Sequence, residues 1–187
     1  MSHTYLIALG SNRRHHRFGR PRQVLATAMD CLDGSYGAVI ATSPIVDSDP
    51  IGPSLRRYAN AALLLRSNDD PEALLRRLKY LEQWFGRRQR GQRWSSRVLD
   101  LDIVLWDGGA YSAKQLTIPH PLFRERAFVL GPAQAIAPDW RDPVTGLTIY
   151  QLHSRLTRPR PLPRGASADA RHPGPLAQSV EQLTFNQ

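Results

Sequence analysis

The sequence predicts an α+β fold of the ferredoxin-like class, a βαββαβ sandwich with a C-terminal extension. The main observation is that strand-like apolar runs and amphipathic helix-like segments alternate in that order along the chain. The 187 residues are enough for one domain with a substantial core. The 41% hydrophobic and 22% charged content is ordinary for a globular protein.

The six elements of the sandwich are separated by clear turn signals. The first strand ends in a Gly-Ser-Asn turn, and the first helix opens on Pro21 and stops at Gly34. A stiff Asp-Pro-Ile-Gly-Pro loop separates the second and third strands. The predicted strands are residues 4–10, 36–46, 58–67 and 97–106, and the predicted helices are residues 21–34 and 69–86.

The second helix has the strongest pattern in the chain. Asp69 or Asp70 can cap it, Pro71 suits its first turn, and Gly86 ends it. Apolar residues recur at helical spacing, which predicts one face buried against the sheet. They are Leu74, Leu75, Leu78, Leu81 and Phe85.

The sequence that follows the sandwich predicts a smaller second part of the same domain and a C-terminal tail. A small hairpin is expected in WDGGAYS, followed by the segment TIPHPLFRERAFVL and a turn at DPVTG. Residues 1–157 are therefore predicted to form one domain. Residues 158–187 are rich in proline and arginine and predict a mostly disordered tail.

The strand RVLDLDIVLW, residues 97–106, carries two aspartates among apolar residues. Strand alternation places Asp100 and Asp102 on one face, about 7 Å apart, and predicts the opposite face for Leu99, Leu101, Ile103 and Leu105. Like charges in apolar surroundings are costly unless a positive charge neutralises them. One or two magnesium ions would do so, and two carboxylates paired with arginine remain the alternative.

An arginine-rich loop precedes this strand. Arg87, Arg88, Arg90, Arg93 and Arg97 lie within eleven residues and surround Trp94. A solvated surface loop is one interpretation. A mobile lid is the other, in which guanidinium groups bind phosphates and the tryptophan covers a nucleotide base.

Further polar residues fit a small planar ligand. Tyr58 and Asn60 share a face of the third strand and could form an aromatic wall and a heterocycle-reading amide, or could be structural. His120 and Arg126 are open to the same two interpretations. His15 and His16 lie in a basic loop and are expected to be exposed, and the spacing of Cys and His residues excludes a closed zinc site.

The composition also restricts partners and location. The net charge is +9, and only Lys79 and Lys114 are lysines, so arginine supplies the other 23 of the 25 basic residues. Arginine favours an anionic ligand, although a GC-rich genome gives the same bias. The chain has no apolar run of membrane-spanning length, no signal-peptide pattern and one cysteine, Cys31, which predicts no membrane association and a cytoplasmic location.

Several separated motifs resemble those of one enzyme family. RWSSRVLDLDIV at 93–104 is similar to the signature of the 6-hydroxymethyl-7,8-dihydropterin pyrophosphokinases of folate biosynthesis. The resemblance covers roughly residues 4–150 and includes ALGSN, the Pro-Ile-Gly-Pro loop, YANAA, FGRR and LTIPHPLFRERAFVL. It implies the ferredoxin-like fold and transfer of diphosphate from MgATP to the pterin hydroxymethyl group, with release of AMP.

The resemblance also implies a role for each candidate residue. Asp100 and Asp102 would hold two magnesium ions, and Arg87 and Arg97 would neutralise the transferring group. Trp94, His120, Arg126 and Glu82 would contact or border ATP. Tyr58 and Phe128 would sandwich the pterin, with Asn60 and the backbone around Ser48 and Ile51 reading its edge.

Two residues of the loop depart from the family pattern, Ser95 in place of Gly or Ala and Gln89 in place of a basic residue. The partners expected from the resemblance are ATP and the pterin, without nucleic acid, for a monomeric enzyme. The main rivals are an RNA-binding ferredoxin-like module and a metal-dependent nucleotidyltransferase. The chain lacks an RNP-like aromatic string, and acidic residues on the sheet would repel RNA.

Overall fold

The computed structural model describes residues 1–49, 56–86 and 97–159, and it has the predicted α+β architecture with an antiparallel sheet. The strands are β1 His3–Ser11, β2 Ala38–Thr42, β3 Val46–Ser48, β4 Tyr58–Ser67, β5 Asp100–Trp106, β6 Tyr111–Ala113 and β7 Leu116–Ile118. The helices are α1 Pro21–Leu32, α2 Pro71–Trp84, α3 Ala127–Ile136 and α4 Ile149–Thr157, with a short 3-10 helix at Phe123–Glu125. None of the described helices is long and apolar enough to cross a bilayer.

The main sheet has the order β2-β4-β1-β5, and β3 also pairs with β4. The predicted second strand is therefore divided into two pieces, β2 and β3, along the same edge of β4. Ser43 lies in the break and bonds Ala62 of β4 twice: its N–H donates to the carbonyl, and its Oγ accepts the N–H. The break thus leaves the backbone of β4 hydrogen-bonded.

The second helix follows the sequence prediction closely. The Asp70 side chain accepts the N–H of Ala73 at 2.7 Å, Pro71 opens the helix, and Gly86 follows its end at a φ of 87°. This left-handed conformation favours glycine. The buried stripe packs with α1 on one face of the sheet and consists of Leu74, Leu78, Leu81 and Phe85.

A β-bulge in β5 corrects one of the predicted positions. The pairing with β1 places Ile103 opposite Ile7 but Leu105 opposite Leu6, so Val104 is an extra residue. Because a bulge reverses the alternation beyond it, Leu105 packs in the second apolar cluster with Leu6. It does not share the face of Leu101, as strict alternation predicted.

A third layer covers part of the sheet's other face, which the sequence analysis left without helices. Leu6, Val104 and Leu105 pack there with buried residues of α3, α4 and the 3-10 helix. The hairpin also lies further along the chain than predicted: β6 pairs with β7, across residues 111–118. The DPVTG turn is confirmed, since the Gly146 N–H donates to the Asp142 carbonyl at 2.8 Å.

His15 is the clearest correction among the loop residues. It was expected to be exposed, but only 7% of it is accessible to solvent. Its Nδ1 accepts the N–H groups of Arg17 and Phe18, and its ring stacks on Phe18 at 4.6 Å. The loop folds back on itself through the His15–Gly19 bridge, which buries the imidazole.

Candidate active site

One row across the sheet brings two predicted site residues together. The register places Gly10 of β1 opposite Asn60 of β4 on one side and opposite Asp100 of β5 on the other. A Cβ at Gly10 would lie 3.9 Å from both Asn60 Oδ1 and Asp100 Cβ. Because glycine has no side chain, the space over Gly10 between the Asn60 amide and the Asp100 carboxylate is left open.

The two aspartates lie on the predicted face of β5, and an arginine neutralises one of them. Arg97 Nη1 donates to Asp100 Oδ2 at 2.6 Å, while Asp102 occupies the next row, opposite Ala8. Burial alone would lower the pKa of Arg97, but the charge and hydrogen bond of Asp100, with the charge of Asp102, raise it. The arginine thus stays ionised beside the carboxylate pair.

Asn12 is a site residue that the sequence analysis missed. Its N–H donates to the Arg97 carbonyl at 3.1 Å, and its Oδ1 accepts the Arg97 N–H at 2.8 Å. Its side chain also lies near the Tyr58 hydroxyl, where it acts to lower the pKa of that group against the opposing effect of burial. The signal was present in the motif ALGSN, where Asn12 directly follows the first strand.

The residues expected to bind a heterocycle lie beside this row. Asn60 is 4% exposed, and its Nδ2 donates to Ser48 Oγ at 2.9 Å. Ser48 is opposite Tyr58 in the β3–β4 pairing. Burial raises the pKa of the Tyr58 hydroxyl, and Asp100 acts in the same direction against the effects of Arg97 and Asn12. The Tyr58 hydroxyl is therefore close enough to Arg97 and Asp100 for their charges to affect its pKa.

His120 and Arg126 approach from the third layer. His120 N–H donates to the Val104 carbonyl at 3.0 Å, and its Nδ1 accepts the Leu122 N–H at 3.2 Å, which leaves the ring proton of the neutral form on Nε2. Burial lowers the pKa of His120, opposed by the charges of Asp102 and Asp100 and assisted by Arg126. The imidazole thus lies near both aspartates.

Phe128 lies in the first turn of α3, which packs over β4 and β3. Its ring contacts the second apolar cluster, and the Arg126 guanidinium carbon lies 5.9 Å from the ring centroid. The start of α3 therefore combines an aromatic ring and a cation on the sheet face that carries Asn60 and Asp100.

Glu82 reaches from helix α2 to the edge of β5 that does not pair with β1. Its carboxylate is fully buried and accepts the Leu101 N–H at 2.8 Å and the Lys79 Nζ at 3.0 Å. These contacts link helix α2 to the strand of the aspartates. Arg87, Trp94 and Ile51 lie outside the described residues, as do Ser95 and Gln89.

The donor set around Asp100 and Asp102 fits one kind of metal. Among the described residues, no group of three or more His, Cys, Asp or Glu side chains could hold an ion by itself. Magnesium needs no such group, because it is commonly bound by one or two carboxylates with water and substrate phosphates. The aspartate pair fits an ion that arrives with a nucleotide.

Sequence comparison identifies the family. A family model described as 7,8-dihydro-6-hydroxymethylpterin-pyrophosphokinase matches residues 6–138. The chain belongs to this family. The family membership that the sequence motifs predicted is thereby confirmed.

Individual relatives support the same family assignment. A 2-amino-4-hydroxy-6-hydroxymethyldihydropteridine pyrophosphokinase of Synechocystis is 44% identical over 105 residues, covering 56% of this chain and 53% of that protein. The enzyme of the same name from Pseudomonas aeruginosa is 37% identical over 139 residues, covering 73% of this chain and 82% of the relative. The chain thus spans about half of the first protein and most of the second.

Solved structures support the fold. The crystal structure of wild-type Plasmodium falciparum HPPK-DHPS with pteroate superposes with a TM-score of 0.64 at 14% identity. The match covers 83% of this chain and 42% of the Plasmodium chain. The predicted ferredoxin-like architecture is confirmed at this level.

Proposed function

We propose that this chain by itself transfers the β,γ-diphosphoryl group of MgATP to the hydroxymethyl oxygen of 6-hydroxymethyl-7,8-dihydropterin and releases AMP. The observation that carries the proposal is the row Asn60–Gly10–Asp100, with Arg97 on Asp100. It places an amide suited to a heterocycle next to charges suited to phosphates. A pterin with a reactive side arm needs these two surfaces side by side.

The pterin would lie over the Asn60 end of the row. Tyr58 and Phe128 would sandwich its rings, since flat aromatic faces stack well on a heterocycle. The Asn60 amide can both donate to and accept from the heterocycle edge. The backbone at Ser48 and Ile51 would complete this polar edge.

ATP would lie over the aspartates. Asp100 and Asp102 would hold two Mg²⁺ ions, and bound magnesium would neutralise charge on the phosphates. Arg97 and Arg87 would neutralise the transferring group, and His120, Arg126 and Trp94 would contact the nucleotide. The resemblance implies that Glu82 borders this pocket, and its carboxylate contacts Lys79 and the Leu101 N–H of β5.

The transfer itself needs positioning more than a strong base. The pterin hydroxymethyl oxygen forms a bond to the β-phosphorus of ATP while the bond from that phosphorus to the oxygen retained by AMP breaks. Phosphoryl transfer depends mainly on alignment and charge neutralisation. The described side chains supply alignment through Asn60 and Tyr58, and positive charge through Arg97.

The test is AMP release by the full chain from MgATP. We expect AMP to form only when hydroxymethyldihydropterin is present. Release without the pterin, or none with it, contradicts the proposal. Retention on immobilised pterin and not on immobilised RNA or DNA would separate this function from the nucleic-acid rivals.

We further propose a cytoplasmic monomer whose catalytic domain ends at residue 157. The domain boundary rests on helix α4, which ends at Thr157. The stretch 160–187 lies outside the described residues. Truncation after Thr157 should leave kcat/KM within about twofold, because the sequence of residues 158–187 is rich in proline and lacks an apolar stripe. A large loss would assign the tail a function.

A further inference from the structure

The outer edge of strand β5 is held by helix α2 where the aspartates lie. Within the described residues, β5 pairs only with β1, so its other edge has no neighbouring strand. At Leu101 two side chains of α2 bind this edge. Glu82 Oε1 accepts the Leu101 N–H at 2.8 Å, and Lys79 Nζ donates to the Leu101 carbonyl at 3.5 Å.

The two side chains also bind each other. Lys79 Nζ lies 3.0 Å from Glu82 Oε1, one turn of the helix away. Burying a carboxylate is costly unless it is hydrogen-bonded and paired, and Glu82 is fully buried. An apolar residue at this position would extend the buried stripe of α2, whereas the carboxylate also gives the Leu101 N–H of β5 a hydrogen-bond acceptor.

Leu101 is the residue between the two aspartates. Its side chain is buried in the core beneath the sheet, and its N–H is bound by Glu82. A strand held at its core side chain and at its outer edge cannot easily rotate about its axis. Asp100 and Asp102 project from the opposite face, so their relative direction depends on this restraint.

We propose that Glu82 is a positioning residue that fixes Asp100 and Asp102 as one cation-binding unit, and that Lys79 keeps its carboxylate in place. This inference rests on the proposed function, in which the aspartates hold Mg²⁺ delivered with ATP. Partners that orient metal ligands from behind commonly contribute 10- to 100-fold to metal affinity or activity. Glu82 therefore governs the metal requirement without contacting pterin.

The decisive comparison is Glu82→Leu against Glu82→Gln in the full chain. Glutamine keeps an oxygen that accepts the Leu101 N–H, whereas leucine fills the space without an acceptor. Leu78→Ala is the matched control, because Leu78 is equally buried one turn earlier on α2 and belongs to the apolar core. Lys79→Met tests the second member of the pair.

Metal binding can be measured without turnover. Mn²⁺ is titrated with α,β-methylene-ATP and followed by electron paramagnetic resonance of the free ion. We expect Glu82→Leu to weaken Mn²⁺ binding by roughly 10- to 100-fold and Glu82→Gln by no more than about threefold. The Mg²⁺ concentration for half-maximal kcat should rise in the same order, while the KM for pterin at saturating Mg²⁺ stays unchanged. Leu78→Ala should lower the melting temperature without changing the metal requirement.

Three results would overturn the inference. They are normal Mn²⁺ affinity in Glu82→Leu, an equal loss of affinity in Glu82→Leu and Leu78→Ala, or a raised pterin KM with an unchanged metal requirement. If Glu82→Leu does not fold, Lys79→Met decides, since we expect it to weaken Mn²⁺ binding by about threefold or more. Absence of pterin-dependent AMP release in the unaltered chain would instead contradict the proposed function.

Discussion

Asn12 makes two hydrogen bonds to the backbone of Arg97: its N–H donates to the Arg97 carbonyl at 3.1 Å, and its Oδ1 accepts the Arg97 N–H at 2.8 Å. The same side chain lies near the Tyr58 hydroxyl and acts to lower its pKa. One asparagine therefore holds the backbone of the residue proposed to neutralise the diphosphoryl group and lies near the residue proposed to stack on the pterin.

Replacing Asn12 with alanine should impair the transfer step. The Arg97 backbone would lose a hydrogen bond, and a misplaced catalytic group can cost about 100-fold in rate. We expect kcat to fall by about 10- to 100-fold, with a smaller change in pterin affinity. Single-turnover kinetics measures the first quantity and equilibrium titration the second. His16→Ala, an exposed change in the same loop, is the control and should behave as wild type.

Replacing either Asp100 or Asp102 should abolish activity, but the two replacements should differ in their effect on the melting temperature. Asp100→Asn and Asp102→Asn should both abolish turnover, since each removes a proposed Mg²⁺ ligand. Asp102→Asn removes a like charge and should melt at or above the wild-type temperature, whereas Asp100→Asn also removes the negative charge that Arg97 contacts at 2.6 Å. Thermal melting of the metal-free proteins checks this order. An active Asp102→Asn enzyme would rule out the metal assignment.

Asp142 should make the fold sensitive to acid. It is fully buried and receives two bonds of 2.7 Å from Arg124. Burial alone would raise its pKa, but the hydrogen bonds from Arg124, Thr145 and the Val144 N–H lower the pKa below its usual value. Since the folded pKa is depressed, this stabilisation is complete above the unfolded value of about 3.9 and is lost as the pH falls through the folded value.

Asp142→Ala should destabilise the protein by about 3–5 kcal/mol at neutral pH, because it leaves a partly buried arginine unpaired. Urea unfolding from pH 7 down to about pH 3 measures this difference, which should shrink at the acid end. Asp139→Ala, an exposed change in the same loop, should leave the pH dependence unaltered. A constant difference across the range would refute the role of Asp142 ionisation.

The fold was largely predictable because its elements carry local signals. The α2 helix has a cap, a first-turn proline, an apolar stripe and a terminal glycine, and the structure places each where the pattern predicts. Asp100 and Asp102 follow strand alternation in the same way. The bulge at Val104 could not be read from the sequence, because it depends on pairing with Ile7 and Leu6.

The parts that were missed depend on contacts between distant segments. Helix α3 is apolar on most sides and contains Pro132, so it has no helical stripe to detect. Asn12 acts on a residue 85 positions away, and Glu82 on one 19 positions away. Asparagine is common in turns and glutamate in helices, so only the folded structure shows that Asn12 binds Arg97 and that Glu82 binds Leu101.

The fate of each phosphorus atom of ATP distinguishes diphosphoryl transfer from transfer of a single phosphoryl group. The full chain is given ATP labelled at the β-phosphate, with Mg²⁺ and hydroxymethyldihydropterin, and the products are separated. We expect the label to move to the pterin product and to leave unlabelled AMP, and we expect Asp102→Asn to abolish this movement. Label retained in ADP would mean transfer of the γ-phosphoryl group alone, and would contradict the proposed function.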